Sequence, residues 1–208
     1  MVKNNHSVKF IVLEGLDGAG KSTQAALIAD DLRKSGKEVF LTQEPGQSAP
    51  GKLARSYLSG ARNCSPDCLQ LLFAADRACH LEKEIIPHLR ADDIVISDRY
   101  FLSSLAYGAV GSHLDWLWSI NKNFLFPDLT IYLDVSPQVY ARRIARNGKS
   151  IEMFEDVEIL EIVRQNYNKA IAMLSNSMKI VLTDGDRAKE EVFADIINEI
   201  NLKLKNQN

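Results

Sequence analysis

Gly15, Leu16, Asp17, Gly18, Ala19, Gly20, Lys21 and Ser22 spell the pattern G-x-x-x-x-G-K-[ST]. A run of this kind does one piece of chemistry well, which is holding phosphate. Its backbone N–H groups converge on phosphate oxygens, and a Cβ at Gly15 or Gly20 would crowd them. Lys21 can reach the β and γ phosphates of a nucleoside triphosphate, and the Ser22 hydroxyl can ligate Mg²⁺. Thr23 continues into a helix whose N-terminal end carries positive partial charge. A second acidic position fits the first. Residues 94–98 read Ile-Val-Ile-Ser-Asp, an apolar strand running into a carboxylate. At the carboxyl end of a sheet, Asp98 would hold Mg²⁺ or its waters.

Other chemistries fit less well. Cys64, Cys68, Cys79, His80 and His88 could be drawn as a zinc cluster. The segment reads as a helix, however, and no second paired cysteine motif follows, so they read as thiols and histidines without metal. Three cysteines suit a reducing compartment, not a disulfide framework. A guanine-reading switch protein needs Asn-Lys-x-Asp, whereas Asn121-Lys122-Asn123 is followed by Phe124. Lys plus Arg is 25 and Asp plus Glu is 27 in 208 residues, a net charge of −2. That balance gives no reason to expect nucleic-acid or membrane binding. Residues 1–7 are polar and the apolar run 10–13 stops at Glu14, so neither a secretory leader nor a membrane span is expected. The expected location is the cytoplasm.

The elements that must position these groups alternate between strand and helix. Strands are expected at 9–14, 38–42, 93–97, 129–134 and 179–182, each a short apolar run. Helices are expected at 22–35, 52–58, from Ser65-Pro66 onward, 101–107, 114–124, 137–146, 156–175 and 189–204. Ser65 is a capping hydroxyl before a proline at the first helical position, and Pro87 should disturb that helix near its end. A composition 46% hydrophobic and 25% charged is that of a globular chain. The length suits one domain. The expected fold is α/β: three layers, a five-stranded parallel sheet with helices on both faces, and a short lid at about 147–157. The polar tail 205–208 should fray.

Several separated motifs, in order along residues 8–200, resemble the thymidylate kinase family. They are the loop from Phe10 to Thr23, Glu44-Pro45-Gly46 after the second strand, and Leu72-Phe73-Ala-Ala-Asp76-Arg77. Asp98-Arg99-Tyr100 with Ser103-Ser104-Leu105-Ala-Tyr107, and Pro127 to Asp134, complete the set. The resemblance implies a P-loop kinase that passes the γ-phosphoryl group of Mg-ATP to dTMP. It implies Phe73 stacked on thymine, Arg77 on a base carbonyl, Ser104 at the base edge and Arg99 on the acceptor phosphate. Asp17 would meet the sugar 3′-hydroxyl, Tyr107 would lie under the deoxyribose, and Arg143 would pack on adenine. Glu44, Pro45 and Ser103 complete the acceptor site. It also implies a homodimer, to which Phe101, Leu102, Leu105 and Trp116 could contribute apolar contact.

Plainer roles stay open: Phe73 as core, Arg77 as a surface ion pair with Asp76, Tyr107 as a core or dimer residue, Arg143 as part of a solvated basic face. This chain also departs from the family pattern. Residues 16–19 hold no basic side chain, and the lid holds only Lys149. Arg146 is the first candidate for a transition-state arginine, with Arg143 and Lys149 behind it. Gln43 precedes Glu44 where many members have Arg, which would shift phosphate binding to Arg99 and Arg55. Leu105 follows Ser104 where some members have Gln, which would remove one hydrogen bond to the base. Two alternatives remain: a kinase for another pyrimidine nucleotide or a deoxynucleoside, and a nucleotide-binding regulatory protein with little transfer activity.

Overall fold

The computed structural model describes residues 9–147 and 157–205. Five strands, β1 (Phe10–Gly15), β2 (Val39–Gln43), β3 (Ile94–Asp98), β4 (Leu129–Asp134) and β5 (Ile180–Asp184), pair in parallel in the order β2-β3-β1-β4-β5. The helices are α1 (Lys21–Lys34), α2 (Ala49–Leu58), α3 (Pro66–His80), α4 (Ile86–Arg90), α5 (Phe101–Gly108), α6 (Leu114–Asn121), α7 (Pro137–Asn147), α8 (Val157–Leu174) and α9 (Lys189–Lys205). The expected strands and helices are all present, with ends shifted by a few residues.

Alternation along each strand sorts the core into two layers, as a two-period requires. Ile11 and Leu13 of β1 join Ile96 and Ile131 under α1 and α9, packed with Ile28, Leu32, Ile196 and Ile200. Phe10 and Val12 join Val95 and Tyr132 on the other face, against Phe101 and Leu105 of α5, Leu117 of α6 and Val163, Tyr167 and Ile171 of α8. Helices therefore cover both faces of the sheet.

The helix begun at Pro66 is disturbed just before Pro87, as expected. It loosens into a π-helical turn, Leu81–Ile85, and Pro87 then sits in the first turn of α4, where its missing N–H costs little. One local expectation needs correcting. Phe101, Leu102 and Leu105 are at most 1% exposed, so they fill the core of a single chain and offer no dimer contact. Trp116 also packs against that core, partly buried.

The strand order decides where ligands can enter. From β1 the chain crosses to β2 on one side, and from β3 it crosses to β4 on the other. The loops leaving β1 and β3 thus diverge and open a crevice at the carboxyl edge of the sheet. Register aligns Leu13 with Asp98 and Asp98 with Gln43, so the ends of β1, β3 and β2 lie in one row. The phosphate loop, Asp98-Arg99-Tyr100 and Glu44-Pro45 all leave from that row.

Candidate active site

The phosphate loop is built as its glycines require. Gly15 has φ +146°, and an added Cβ would lie 2.6 Å from the Leu133 carbonyl oxygen. Gly20 has φ +95° but no protein atom within 4 Å of an added Cβ, so its conformation, not crowding by the protein, demands glycine there. Lys21 is 5% exposed, and its Nζ donates to the Leu16 carbonyl at 2.7 Å. Burial and the nearby Arg99 charge lower its ammonium to about 8, against the pull of Asp17, Asp98 and Glu14. The Ser22 hydroxyl donates to Asp98 Oδ2. Asp98 Oδ1 is buried and has no hydrogen-bond partner among the described residues.

Arg99 stands beside the loop with φ +73°, a left-handed conformation that costs a non-glycine residue about 1–3 kcal/mol. Its neighbours hold it there: its N–H donates to the Leu13 carbonyl at 2.9 Å, and its carbonyl accepts from Ser97 Oγ at 2.8 Å. Nη1 donates to Ser103 Oγ at 2.9 Å and to the Gly15 carbonyl at 3.2 Å, and Nη2 donates to Asp17. The guanidinium also lies 5.0 Å over the Tyr107 ring. Tyr107 closes the group, its hydroxyl donating to Asp17 Oδ2 at 2.9 Å and accepting from the Asp17 N–H at 3.0 Å. Burial alone would raise the Asp17 carboxyl. The Arg99 and Lys21 charges and these hydrogen bonds outweigh it and hold Asp17 at about 2.

A cavity of about 520 Å³ opens from Arg99 and Asp17. Phe73, Arg77, Glu44, Pro45, Ser103, Ser104 and Tyr107 also line it, so the expected acceptor residues surround one space. Phe73 is half-buried and belongs to neither core layer. Arg77 is 2% exposed and makes no ion pair with Asp76. It donates from Nε to Glu44 Oε2 at 2.9 Å, from Nη1 to Asn121 Oδ1 and from Nη2 to Ser104 Oγ at 3.0 Å. Asp76 turns the other way. It accepts from the Gly46 N–H and the Ser48 hydroxyl, each at 2.6 Å, and so clamps the Glu44-Pro45-Gly46 loop to α3. Arg55 holds the same loop through the carbonyls of Gly46 and Pro45. Its charge lines the cavity, but its Nη groups are already engaged. Gln43 is exposed and is not part of the cavity wall.

Several site residues escaped the sequence reading. Glu14 is fully buried and accepts from the N–H groups of Tyr100 and Ser103, at 2.9 and 3.2 Å, and from Ser103 Oγ at 2.5 Å. Burial raises its carboxyl, although these bonds and Arg99 pull it down. The Tyr167 hydroxyl from α8 meets Glu14 Oε2 at 3.2 Å and Ser103 Oγ at 2.8 Å. Ser103 therefore braces the Arg99 segment. A charged residue inside an apolar strand was the available signal for Glu14. For Tyr167 and Asn121 there was none, because their partners lie 44 to 153 residues away in sequence; Asp76 stood in the motif ending at Arg77, but nothing there pointed to Ser48, 28 residues off.

Arg143 on α7 donates to the Gly18 carbonyl at 3.3 Å and the Gly185 carbonyl at 2.8 Å, tying the phosphate loop to the turn after β5. Arg146 belongs to α7, but its side chain and lid residues 148–156, Lys149 included, lie outside the described residues.

A phosphate loop after the central strand of a parallel sheet, with an acidic strand end facing its serine, defines a P-loop nucleotide-binding protein. The family model described as thymidylate kinase matches residues 13–196, nearly the whole chain. A protein of Thermococcus gammatolerans named probable thymidylate kinase is 43% identical, over 94% of this chain and 97% of its own length. Proteins of the same name from Thermococcus onnurineus and Pyrococcus horikoshii are 45% and 44% identical, each over 90% of this chain. The chain belongs to the thymidylate kinase family.

Proposed function

We propose that this chain transfers the γ-phosphoryl group of Mg-ATP to dTMP, giving dTDP and ADP. The observation that carries the reading is that the 520 Å³ cavity is walled by Asp17 of the phosphate loop and by Arg99, which itself donates to the Gly15 carbonyl of that loop. A donor phosphate on the loop and an acceptor phosphate at Arg99 would then meet directly. Transfer between them needs little covalent chemistry from the protein; it needs positioning and charge neutralisation.

In this reading Gly15 to Thr23 wrap the ATP phosphates, Lys21 neutralises the transferring group, and Arg143 lies against adenine. Arg99 holds the acceptor phosphate, which must compete with Asp17 for the guanidinium. Phe73 stacks on the base, Arg77 and Ser104 face its carbonyl edge, and Tyr107 with Asp17 contacts the sugar. Glu44, Pro45 and Ser103 fix the surrounding wall. Arg146 brings a further positive charge as residues 147–157 close over the phosphates and exclude water.

The donor set suits Mg²⁺. Ser22 Oγ and the unpartnered Asp98 Oδ1 are hard oxygens, and this ion is ordinarily held by one or two protein oxygens plus substrate phosphates. When bound it would offset negative charge on the phosphates. The rest of the reading is a cytoplasmic homodimer of one kinase domain, with no nucleic-acid or membrane partner. No helix among the described residues is long and apolar enough to cross a membrane.

The test is ADP release from Mg-ATP with dTMP, dUMP, UMP, CMP and thymidine offered separately. Turnover led by dTMP is expected. Turnover led by another acceptor would overturn the base assignment, and acceptor-independent or absent ADP release would overturn the kinase reading. A second expectation follows from Lys21. At pH 8 about half of its ammonium is deprotonated in the free protein. A triphosphate favours the charged form, so binding at pH 8, where the terminal phosphate is already ionised, should take up part of a proton. Calorimetry with a non-hydrolysable ATP analogue in buffers of different ionisation enthalpy reads this directly. Proton release on binding at pH 8 would contradict it.

A further inference from the structure

Some cavity-lining side chains have no use in the reading above, and two of them, Gln70 and Tyr100, carry a buried polar atom without a hydrogen-bond partner among the described residues. Gln70 on α3 is 3% exposed, and its Oε1 has no hydrogen-bond partner among the described residues. Gln70, Phe73 and Arg77 fall at i, i+3 and i+7, so one helix stripe presents all three to the cavity. The carboxamide packs against α5 at Gly108. A Cβ at Gly108 would lie 2.9 Å from Gln70 Cδ and 3.0 Å from Oε1, so only glycine there leaves it room. Gly108 is one helical turn beyond Ser104, whose Oγ accepts from Arg77. Arg77, Ser104 and Gln70 thus line the same wall, next to the ring of Phe73.

The edge of thymine reads acceptor, donor, acceptor: O4, N3–H, O2. Arg77 and Ser104 supply donors for a carbonyl. The guanidinium supplies no acceptor for N3–H, and the Ser104 oxygen already accepts from Arg77, which leaves it a single lone pair. Leu105, at the position where some family members carry Gln, is buried in the core and supplies nothing. Among the described residues, Gln70 is the one carboxamide on the cavity wall. Its terminal torsion is broad and two-fold, so Oε1 can turn to a bound base without disturbing the helix.

We propose that Gln70 reads the base: its Oε1 accepts from N3–H of the thymine ring, replacing from α3 the contact that Leu105 cannot make. This rests on the reading of the cavity as the dTMP site. It makes Gln70 a base-edge contact that treats uracil like thymine, whose edge is the same, and that meets the N3 lone pair of cytosine only by turning its amide round to offer Nε2.

Gln70→Met tests this, since methionine fills a similar volume without the polar atoms. The Michaelis constant for dTMP should rise about tenfold or more, as expected for one lost specific hydrogen bond. The kcat and the constant for ATP should stay within about threefold, because no transferring phosphate contact changes. The preference for dTMP over dUMP should not change, since both bases carry N3–H. The melting temperature should hold or rise, because Oε1 bonds nothing in the fold. N3-methyl-dTMP gives a second measurement: wild type should discriminate strongly against it, and Gln70→Ala should discriminate less. A lower melting temperature with an unchanged dTMP constant would make Gln70 a brace of the fold and overturn the assignment. Undiminished discrimination against N3-methyl-dTMP in Gln70→Ala would also overturn it. A wild-type protein without dTMP turnover would instead overturn the parent reading, and the assignment with it.

Discussion

Replacing Lys21 by Ala is expected to lower kcat by about 10²–10³-fold, the usual loss when one preorganised charge is removed from a transferring oxyanion. The same change should leave the fold intact. Lys21 is 5% exposed, and burial first, then Arg99, has lowered its ammonium from 10.5 to about 8. That difference means the folded protein holds the charge at neutral pH against a cost of about 3 kcal/mol. Removing the ammonium relieves this cost and forfeits one hydrogen bond to the Leu16 carbonyl, worth about 1 kcal/mol. Activity and stability should therefore move in opposite directions. Steady-state kinetics and a thermal melt on the same preparation check both. A variant that keeps more than about a tenth of wild-type kcat would show that Arg99 or Arg143 carries the charge instead.

Glu44→Ala is expected to have the largest effect on stability. Arg77 and Glu44 are 2% and 6% exposed at their side chains, with Nη2 2.7 Å and Nε 2.9 Å from Oε2. Glu44 Oε1 also meets His80 Nδ1 at 3.2 Å, and His80 Nε2 meets Thr42 Oγ1 at 2.7 Å. Removing the carboxylate leaves a buried guanidinium with only the neutral Asn121 and Ser104 as partners. Breaking one side of a buried pair costs about 3–5 kcal/mol. For a chain of this length that is roughly a 10 °C fall in melting temperature. Glu44→Gln keeps the shape and one acceptor and should cost less. The KM for dTMP should rise in both, since Arg77 loses the partner that aims it. A melt within about 2 °C of wild type for Glu44→Ala would show that water replaces the carboxylate and that the pair is not closed to solvent.

Proximity in sequence separates what could be read directly from what could not. The phosphate loop was legible because its chemistry is local. Consecutive residues make the turn, and the strand before it and the helix after it are signalled within a few positions. Ser65 was legible as a cap for the same reason, and its hydroxyl does accept from the Cys68 N–H at 3.2 Å. Phe101, Leu102 and Leu105 show the limit. Apolar residues at helical spacing say that a face is buried; they do not say against what, and here the answer is the core of the same chain. Asp76-Arg77 shows it again. Adjacent opposite charges suggested a pair, but neighbours on a helix point about 100° apart, and each found its partner elsewhere.

The sequence by itself determined the α/β layering, the phosphate loop and the set of residues able to meet a nucleotide, because these follow from periodicity and from motifs a few residues long. The tertiary structure decided which of them share one space. The order β2-β3-β1-β4-β5 brings Glu14, Asp98 and Glu44 to a single edge. From there α8 sends Tyr167 to Glu14, α6 sends Asn121 to Arg77, and Gly108 makes room for Gln70. A carboxylate, a guanidinium or a carboxamide carries the same formula wherever it stands. Its burial, its charge and its free lone pair depend on partners that only chain folding brings within hydrogen-bond distance.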